Sequence, residues 1–307
     1  MAFQLESEWV WDFWIADDGK TFHLFHLRAP KSLGDPDLRH RHARIGHATS
    51  RDLREWTDHG VVLGPGAPGS ADGSATWTGC VVRGDDGLWR MFYTGTVFLE
   101  PASNRNVESI LMATSPDLAV WSKRDGFVLT AAGELYEKLG DSDWTDEAWR
   151  DPWVFRDPQG NGWHMLITAR AKGAGGSSGG VVGHAWSPDL DTWTAQPPLG
   201  SVAARFPHLE VLQTVEVGDG HLTLFCATRA DGVDGVWAMP TGPVPVQARP
   251  DDARLIAPAP AYAGRVVRDR GGTPVLLAFA RDAAGAPLGV ADPIAVDELW
   301  RRASRLR

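Results

Sequence analysis

Cysteine, tyrosine and long apolar runs are scarce in this sequence. The 307 residues include 2 Cys and 3 Tyr against 15 Trp. No stretch approaches the roughly 18 apolar residues that a membrane-spanning helix needs. The formal net charge of -9 disfavours nucleic acid, because phosphate recognition requires a clustered basic surface. We therefore expect neither a nucleic acid nor a membrane as partner.

The two cysteines, Cys80 and Cys226, each lie in an apolar run typical of a strand and lack metal-ligand spacing. We expect two buried, reduced thiols rather than a disulfide. The opening residues, MAFQLESEWVWD, have neither the basic end nor the apolar run of a signal peptide. The expected compartment is the cytoplasm.

A turn motif recurs along the chain. Three segments, IGHATSRDLREW, ILMATSPDLAVW and VGHAWSPDLDTW, end at Trp56, Trp121 and Trp193. Each is a short apolar strand, a Ser-x-Asp-Leu turn whose side-chain oxygens can cap the backbone, and a Trp that opens the next strand. A hairpin built around an Asp/Gly turn precedes each copy and two more hairpins follow, so that five begin near residues 12, 79, 151, 210 and 264. A helical period is suggested only at residues 297–307.

This repetition predicts an all-β fold, a five-bladed β-propeller in a single domain, because four-stranded units repeated radially form propellers. The blades are predicted at about residues 9–63, 77–130, 149–200, 208–248 and 262–296. They use nearly the whole chain, so no C-terminal β-sandwich is expected. Either residues 2–6 or the C-terminal segment could close the last blade. A β-sandwich is the rival fold.

Three acids fall at matching places in the repeats. Because the first strand of each blade lines the central channel, the residues that open these strands meet at one mouth. An alignment of the hairpins places Asp12, Gly79, Asp151, Glu210 and Gly264 there. A lone acid would be a turn residue or an edge charge, but three converging carboxylates need a cation or proton-transfer chemistry to offset their repulsion. Asp12, Asp151 and Glu210 are therefore the candidate catalytic residues.

The neighbours of these acids favour a sugar site over a calcium site. Calcium takes oxygen ligands, whereas Arg150 adjoins Asp151 and three tryptophans surround Asp12, namely Trp9, Trp11 and Trp14. A guanidinium binds hydroxyl groups, and indole faces stack on sugar rings. We predict no metal and no cofactor.

Short motifs around the acids resemble the furanosidase propellers, in particular glycoside hydrolase families 32 and 68, which include invertases, fructanases and levansucrases. Residues 10–14 (Val-Trp-Asp-Phe-Trp) are similar to the levansucrase-type nucleophile motif, and residues 150–152 match the Arg-Asp-Pro motif. Residues 77–79 (Trp-Thr-Gly) are similar to a Trp-Ser-Gly segment of the fructosyl pocket. The invertase form Asn-Asp-Pro-Asn is absent around Asp12, and Glu210 lacks the usual Cys-Pro or Arg-Pro successor.

The resemblance implies a retaining glycosidase acting on a β-fructofuranoside, either a hydrolase or a fructosyltransferase, with a small carbohydrate as substrate. Asp12 would be the nucleophile and Glu210 the acid/base, while Asp151 with Arg150 would hold sugar hydroxyls. For this role we expect the pKa of Glu210 to be raised by apolar neighbours and nearby carboxylates. Two alternatives stay open: an inverting arabinofuranosidase or xylosidase like those of family 43, and a non-catalytic carbohydrate-binding propeller.

The candidate substrate-binding residues flank the three acids: Trp11, Trp14, Trp77, Thr78, Trp149, Arg150 and His208. His208 could equally be a packed structural histidine. The loops at 31–42, 96–109, 131–149 and 171–180 are expected at the mouth. Residues 39–42 (Arg-His-Arg-His) are interpreted as a solvated loop, which could bind an anionic group such as a sugar phosphate if it faces the mouth.

Overall fold

The computed structural model describes residues 3–176 and 178–296, and the helix suggested for 297–307 lies outside the described residues. Blade 1 consists of β1 (Glu8–Asp17), β2 (Phe22–Pro30), β3 (Arg44–Ser50) and β4 (Thr57–Leu63). Blade 2 consists of β5 (Ala75–Arg83), β6 (Trp89–Phe98), β7 (Asn106–Ser115) and β8 (Ser122–Lys123), and β9 (Asp146–Glu147) pairs with β7. Blade 3 consists of β10 (Trp149–Arg156), β11 (Trp163–Arg170), β12 (Gly180–Ser187) and β13 (Thr194–Leu199).

Blade 4 consists of β14 (Glu210–Val217), β15 (Gly220–Thr228), β16 (Asp234–Thr241) and β17 (Arg254–Pro258), so its outer strand lies beyond the expected limit at residue 248. Blade 5 consists of β18 (Ala261–Arg268), β19 (Pro274–Arg281), β20 (Pro287–Val290) and β21 (Ile294–Ala295). Short 3-10 helices occupy Lys31–Leu33 and Pro36–His42 between β2 and β3, and Pro250–Asp252 before β17.

The five sheets close into a ring through their innermost strands. Each of β1, β5, β10 and β14 contacts the next innermost strand, and β18 contacts β1. The N-terminal segment completes blade 5, because Phe3 and Val290 exchange two backbone hydrogen bonds of 3.1 and 2.8 Å. The all-β, five-bladed propeller is therefore confirmed, and the residues from 3 to 296 that the structure describes contain no β-sandwich.

The repeated Ser-x-Asp-Leu motif forms the turn after the third strand of blades 1, 2 and 3. In blade 1 the hydroxyl of Ser50 accepts the backbone N–H of Leu53 at 2.9 Å, and Asp52 accepts the two following N–H groups. Leu53 is fully buried and has a φ of 64°, a left-handed conformation that is unfavourable for leucine. Side-chain capping and burial offset that strain, which explains why the motif recurs with the same residue types.

Each innermost strand carries a register shift where it reaches the channel mouth. In β1 the shift lies between Trp11 and Phe13 and leaves Asp12 unpaired. The other shifts fall between Trp77 and Gly79, Arg150 and Trp153, Glu210 and Gln213, and Tyr262 and Arg265. Such bulges bend a strand and re-aim its side chains.

The bulges correct the predicted alignment of the three acids. Asp12 and Asp151 each follow the last paired residue before the bulge, whereas Glu210 is itself that last paired residue. Val211 is the true counterpart of Asp151, and the two share left-handed φ values of 55° and 56°. The prediction that all three acids occupy one strand position is thus wrong for Glu210, and likewise for the two glycines aligned with it, Gly79 and Gly264.

Buried neutral histidines should make the fold sensitive to acid. His26 is fully buried, and burial, with the nearby Arg28 charge, lowers its pKa to about 4. Since an unfolded histidine titrates near ~6.5, its contribution to stability is complete above that pH and is lost as the pH falls towards 4.

We expect a His26→Asn variant to lose unfolding free energy less steeply than the parent protein between pH 6.5 and 4, by up to ~1.4 kcal/mol per pH unit. Urea denaturation at several pH values measures both slopes. Parallel slopes would show that His26 is not neutral in the folded protein.

Candidate active site

One mouth of the channel opens into a cavity of about 450 Å³. Asp12 from β1, Asp151 from β10 and Glu210 from β14 all line it. Three blades therefore deliver one acid each to the same hollow. The thiols of Cys80 and Cys226 are free and buried, as predicted.

Asp12 is held by its neighbour in blade 2. The hydroxyl of Thr78 donates to its Oδ2 at 2.7 Å. Burial, together with the carboxylates of Asp151 and Glu210, raises the pKa of Asp12 to about 7, while Thr78 and the Arg39 charge act in the opposite direction. Near neutral pH this carboxyl therefore carries a proton for a substantial fraction of the time.

Asp151 is buried and fixed by two hydrogen-bond donors and a nearby guanidinium. Its Oδ2 accepts from the hydroxyl of Thr168 at 2.9 Å and from the backbone N–H of Val211 at 3.2 Å, and Arg150 Nε lies 3.8 Å away. Burial is the largest influence on the pKa of Asp151 and raises it, while the Arg150 charge opposes that rise. The side chain is thus locked in one orientation before any substrate arrives.

Glu210 is the most strongly paired of the three acids. Its Oε1 accepts from Arg150 Nη2 at 2.9 Å and lies 3.5 Å from His208 Nε2, and its Oε2 accepts from the hydroxyl of Tyr262. Burial would raise the pKa of Glu210, but His208, Arg150 and the Tyr262 hydrogen bond outweigh it and lower the pKa to about 2. The prediction of a raised pKa for Glu210 is therefore wrong for the unliganded site, where the pKa is raised for Asp12 and Asp151 instead.

Arg150 lies at the centre of the charged groups. Besides Glu210, its guanidinium donates through Nη1 to both oxygens of Glu108 at 3.1 Å and to Asp146 at 2.8 Å. Glu108 and Asp146 both line the cavity. Neither was identified from the sequence, because Glu108 lies on the third strand of its blade and Asp146 on the short strand β9.

Four of the predicted substrate-binding residues line the cavity: Trp11, Trp77, Thr78 and Arg150. His208 is not among the residues that line the cavity; it contacts Glu210, and its ring lies 5.9 Å from that of Trp144. Trp14 and Trp149 are fully buried, packed against Phe25 and Tyr136 respectively. For these two tryptophans the predicted substrate contact is wrong, since both belong to the hydrophobic core.

The loop at 31–42 faces the mouth rather than solvent alone. Arg39 and His40 line the cavity, and Arg39 is only 9% exposed, with its guanidinium 5.7 Å from the Trp11 ring. Burial, with the Arg39 charge, lowers the pKa of His40 to about 3, so its imidazole is neutral. The interpretation of 39–42 as a solvated loop is wrong for these two residues.

Blade 5 contributes two further residues that sequence reasoning missed. Tyr262 precedes the bulge of β18, and Arg281 at the end of β19 lies over the Tyr262 ring at 4.3 Å. The equivalence of Tyr262 with Trp11 and Trp77, the last paired residues of β1 and β5, is the signal that could have revealed it.

Among residues 3–176 and 178–296, no group of His, Cys, Asp or Glu side chains is arranged to hold a metal ion. Over the same residues no helix is long and apolar enough to cross a membrane. The acids at the mouth are instead compensated by Arg150 and by hydroxyl donors.

The fold and the converging acids define a five-bladed propeller of the furanosidase type. The model of the glycosyl hydrolases family 32 N-terminal domain matches residues 14–233, which include Asp151 and Glu210 and begin two residues after Asp12. The chain belongs to this family.

Curated relatives and solved structures agree with this assignment. Sucrose-6-phosphate hydrolase of Escherichia coli is 28% identical over 215 residues, which cover 69% of this chain and 39% of that protein. Raffinose invertase of Escherichia coli is 32% identical over 151 residues, or 48% and 27% of the two chains. An inulosucrase from Halalkalicoccus jeotgali bound to kestose has a TM-score of 0.69 at 25% identity, covering 92% of this chain and 79% of that one. The matches thus span well under half of each curated relative.

Proposed function

We propose that this protein is a retaining β-fructofuranosidase. The observation that carries the proposal is the convergence of Asp12, Asp151 and Glu210 from three blades on one cavity, with Arg150 between two of them. The names of the relatives, a sucrose-6-phosphate hydrolase and a raffinose invertase, support a fructoside as the substrate class.

In the proposed mechanism, Asp12 attacks the anomeric carbon while Glu210 gives its proton to the leaving oxygen, so a carboxyl–sugar ester forms as the glycosidic C–O bond breaks. Water then attacks the same carbon, Glu210 takes its proton, and the ester bond to Asp12 breaks. Asp151 and Arg150 bind sugar hydroxyls and stabilise the positive charge that develops on the ring.

This mechanism requires the proton to move when substrate binds. Without substrate, Asp12 has the raised pKa and Glu210 the lowered one. Positive charge developing over Asp12 favours its ionised form, and a sugar packed on Glu210 removes solvent and favours its neutral form. One proton shared by the coupled acids is then on Glu210 when the bond breaks.

The stereochemistry of the first product tests the proposal. With sucrose as donor and methanol as acceptor, we expect methyl β-fructofuranoside, identified by NMR, because two inversions restore the configuration. The α-anomer would indicate the inverting alternative. No sugar released from sucrose, inulin, levan or nitrophenyl furanosides would leave only a carbohydrate-binding propeller.

A second candidate substrate, a phosphorylated fructoside, is favoured by Arg39. This arginine lines the cavity with its Nε buried and without a hydrogen-bond partner, although Nη1 donates to the Pro36 carbonyl at 2.8 Å. If Arg39 binds a phosphate, Arg39→Gln should lower the ratio of kcat/KM for sucrose 6-phosphate to that for sucrose by about tenfold or more. An unchanged ratio would remove this candidate.

A further inference from the structure

Glu108 is a buried acid that the fold does not require. It is 1% exposed on β7, seven residues before the repeated serine of its turn, Ser115. The same count back from Ser50 and Ser187 reaches Ala43 and Gly180, which are small and buried. A carboxylate in this position therefore reflects something specific to blade 2, since burying a charge is unfavourable unless it is paired.

The contacts of Glu108 point towards the active site. Both of its oxygens accept from Arg150 Nη1 at 3.1 Å, and Oε2 also accepts the backbone N–H of Trp149 at 2.9 Å. The opposite nitrogen of the same guanidinium, Nη2, donates to Glu210 at 2.9 Å. Glu108 thus fixes one edge of Arg150 while the other edge meets the acid/base.

We propose that Glu108 is a positioning residue for Glu210. The Glu108 carboxylate fixes the Arg150 guanidinium and neutralises part of its positive charge. Glu210 can then take up the proton that it later donates to the leaving oxygen. This inference rests on the proposed function, because it assigns Glu210 the role of acid/base.

The other charged or titratable groups around this pair come from six elements or loops. Asp146 on β9 and Asp151 on β10 contact Arg150, while His208 and Tyr262 contact Glu210. Asp12 and His40 are near enough to interact electrostatically with Glu210. Among the residues that the structure describes, Glu108 and Asp146 alone accept from Nη1, the nitrogen that does not contact Glu210. Both can therefore neutralise part of the Arg150 charge without contacting Glu210 itself.

A Glu108→Gln variant tests the proposal. Burial raises the pKa of Glu108 to about 8, while the Arg150 charge and the Trp149 N–H oppose that rise, so its negative charge is complete above that pH, at the basic end of the profile. Loss of this charge leaves more of the Arg150 charge to stabilise ionised Glu210, which lowers the pKa of Glu210 in the substrate complex. We expect the basic limb of the kcat–pH profile to move down by about one pH unit, with kcat above that limb reduced about tenfold. Glu108→Asp, which keeps the charge, should restore the position of the limb.

Two further variants separate this effect from a loss of packing. Glu137 forms a buried pair with Arg170 away from the cavity, so Glu137→Gln should lower the melting temperature while leaving the kcat–pH profile in place. Asp146 is partly exposed and shares Nη1, so Asp146→Asn should shift the limb in the same direction by less, even if Glu108→Gln does not fold. A basic limb that stays in place in every folded variant of Glu108 and Asp146 would overturn the proposal.

The position of Arg150 gives a readout that does not depend on activity. In a crystal structure of Glu108→Gln, or of Asp146→Asn if that variant alone folds, we expect the guanidinium to leave its present place and move towards Glu210 and Asp151. An unmoved guanidinium would overturn the positioning role. If the parent protein cleaves no fructoside and Arg150 nevertheless moves, the proposed function fails while the positioning role of Glu108 stands.

Discussion

Replacing Asp12 by asparagine should abolish turnover and stabilise the fold at the same time. Without the carboxylate no covalent intermediate can form, and we expect kcat to fall by at least ~10⁴-fold. The raised pKa of Asp12, about 7, means that its ionisation opposes folding, and this cost is complete above pH 7. Asparagine removes the titrating group, so the unfolding free energy at pH 8 should rise by ~4 kcal/mol, equivalent to about 6 °C in Tm.

The pH dependence of this stabilisation separates it from a general packing effect. A carboxyl whose folded pKa is raised contributes no penalty below its unfolded value of 3.8, because it is protonated in both states. The gain seen at pH 8 should therefore vanish near pH 4, as thermal melts would show. Asp125→Asn, at an exposed loop position, is the matched control and should change neither turnover nor Tm. Normal turnover in Asp12→Asn would remove Asp12 from the mechanism.

Replacing Glu210 by glutamine should affect substrates according to their leaving groups. Sucrose needs its leaving oxygen protonated, so we expect kcat to fall by ~10³-fold. Nitrophenyl β-fructofuranoside has a leaving group that departs without help, so its first turnover should stay fast while hydrolysis of the enzyme ester becomes slow. Stopped-flow absorbance would record a burst of nitrophenol.

The burst distinguishes the role of Glu210 from that of Asp12. Asp12→Asn should show no burst with the nitrophenyl substrate, because the ester cannot form. If Glu210→Gln gave no burst with the nitrophenyl substrate, so that its first turnover were as slow as that on sucrose, Glu210 would be a binding residue rather than the acid/base. Glu210 accepts from both Arg150 and Tyr262, so its replacement needs a folding control. An unaltered far-ultraviolet circular dichroism spectrum would show that the variant keeps the β fold.

The propeller could be inferred from sequence because the same turn recurs in blades 1, 2 and 3 and requires the same residue types each time. The turn after the third strand needs a serine acceptor, an aspartate acceptor and a buried leucine in a left-handed conformation, so Ser50, Asp52 and Leu53 reappear in blades 2 and 3 with the same spacing. The acids could be found because Asp12 and Asp151 interrupt otherwise apolar strands.

The bulges could not be inferred in the same way. A bulge adds residues to a strand but leaves the alternation of apolar and polar residues elsewhere unchanged. An alignment of the sequences therefore places Glu210 level with Asp12, although Glu210 precedes the bulge of its strand and Asp12 lies within its own. Trp14 and Trp149 each lie two residues from a site acid, which in a regular strand would put them on the same face. The bulges at Asp12 and Asp151 break that alternation, and both indoles pack in the core. Glu108 lies on the third strand of blade 2, where an alignment of first strands gives no signal, and it reaches the mouth beside Arg150.

The electrostatics of the acids depend on contacts that are remote in sequence. Apolar neighbours such as Leu209 and Val211 suggested a raised pKa for Glu210. The contacts with Arg150, 60 residues earlier, and with Tyr262, 52 residues later, reverse that direction. Neither partner is visible from the local sequence around Glu210.

The hydrogen bonds between Phe3 and Val290 add the N-terminal segment to blade 5, and Phe3 belongs to a buried apolar cluster that joins Val10 and Phe13 of blade 1 to Leu277 of blade 5. Asp12 and Trp11 lie on the blade 1 side, and Tyr262 and Arg281 lie on the blade 5 side. Loss of the Phe3 contacts would therefore loosen the join between blades 1 and 5, including Tyr262, which contacts Glu210, while blades 2 to 4 stay intact. Activity should then be lost on heating before the bulk of the β structure melts.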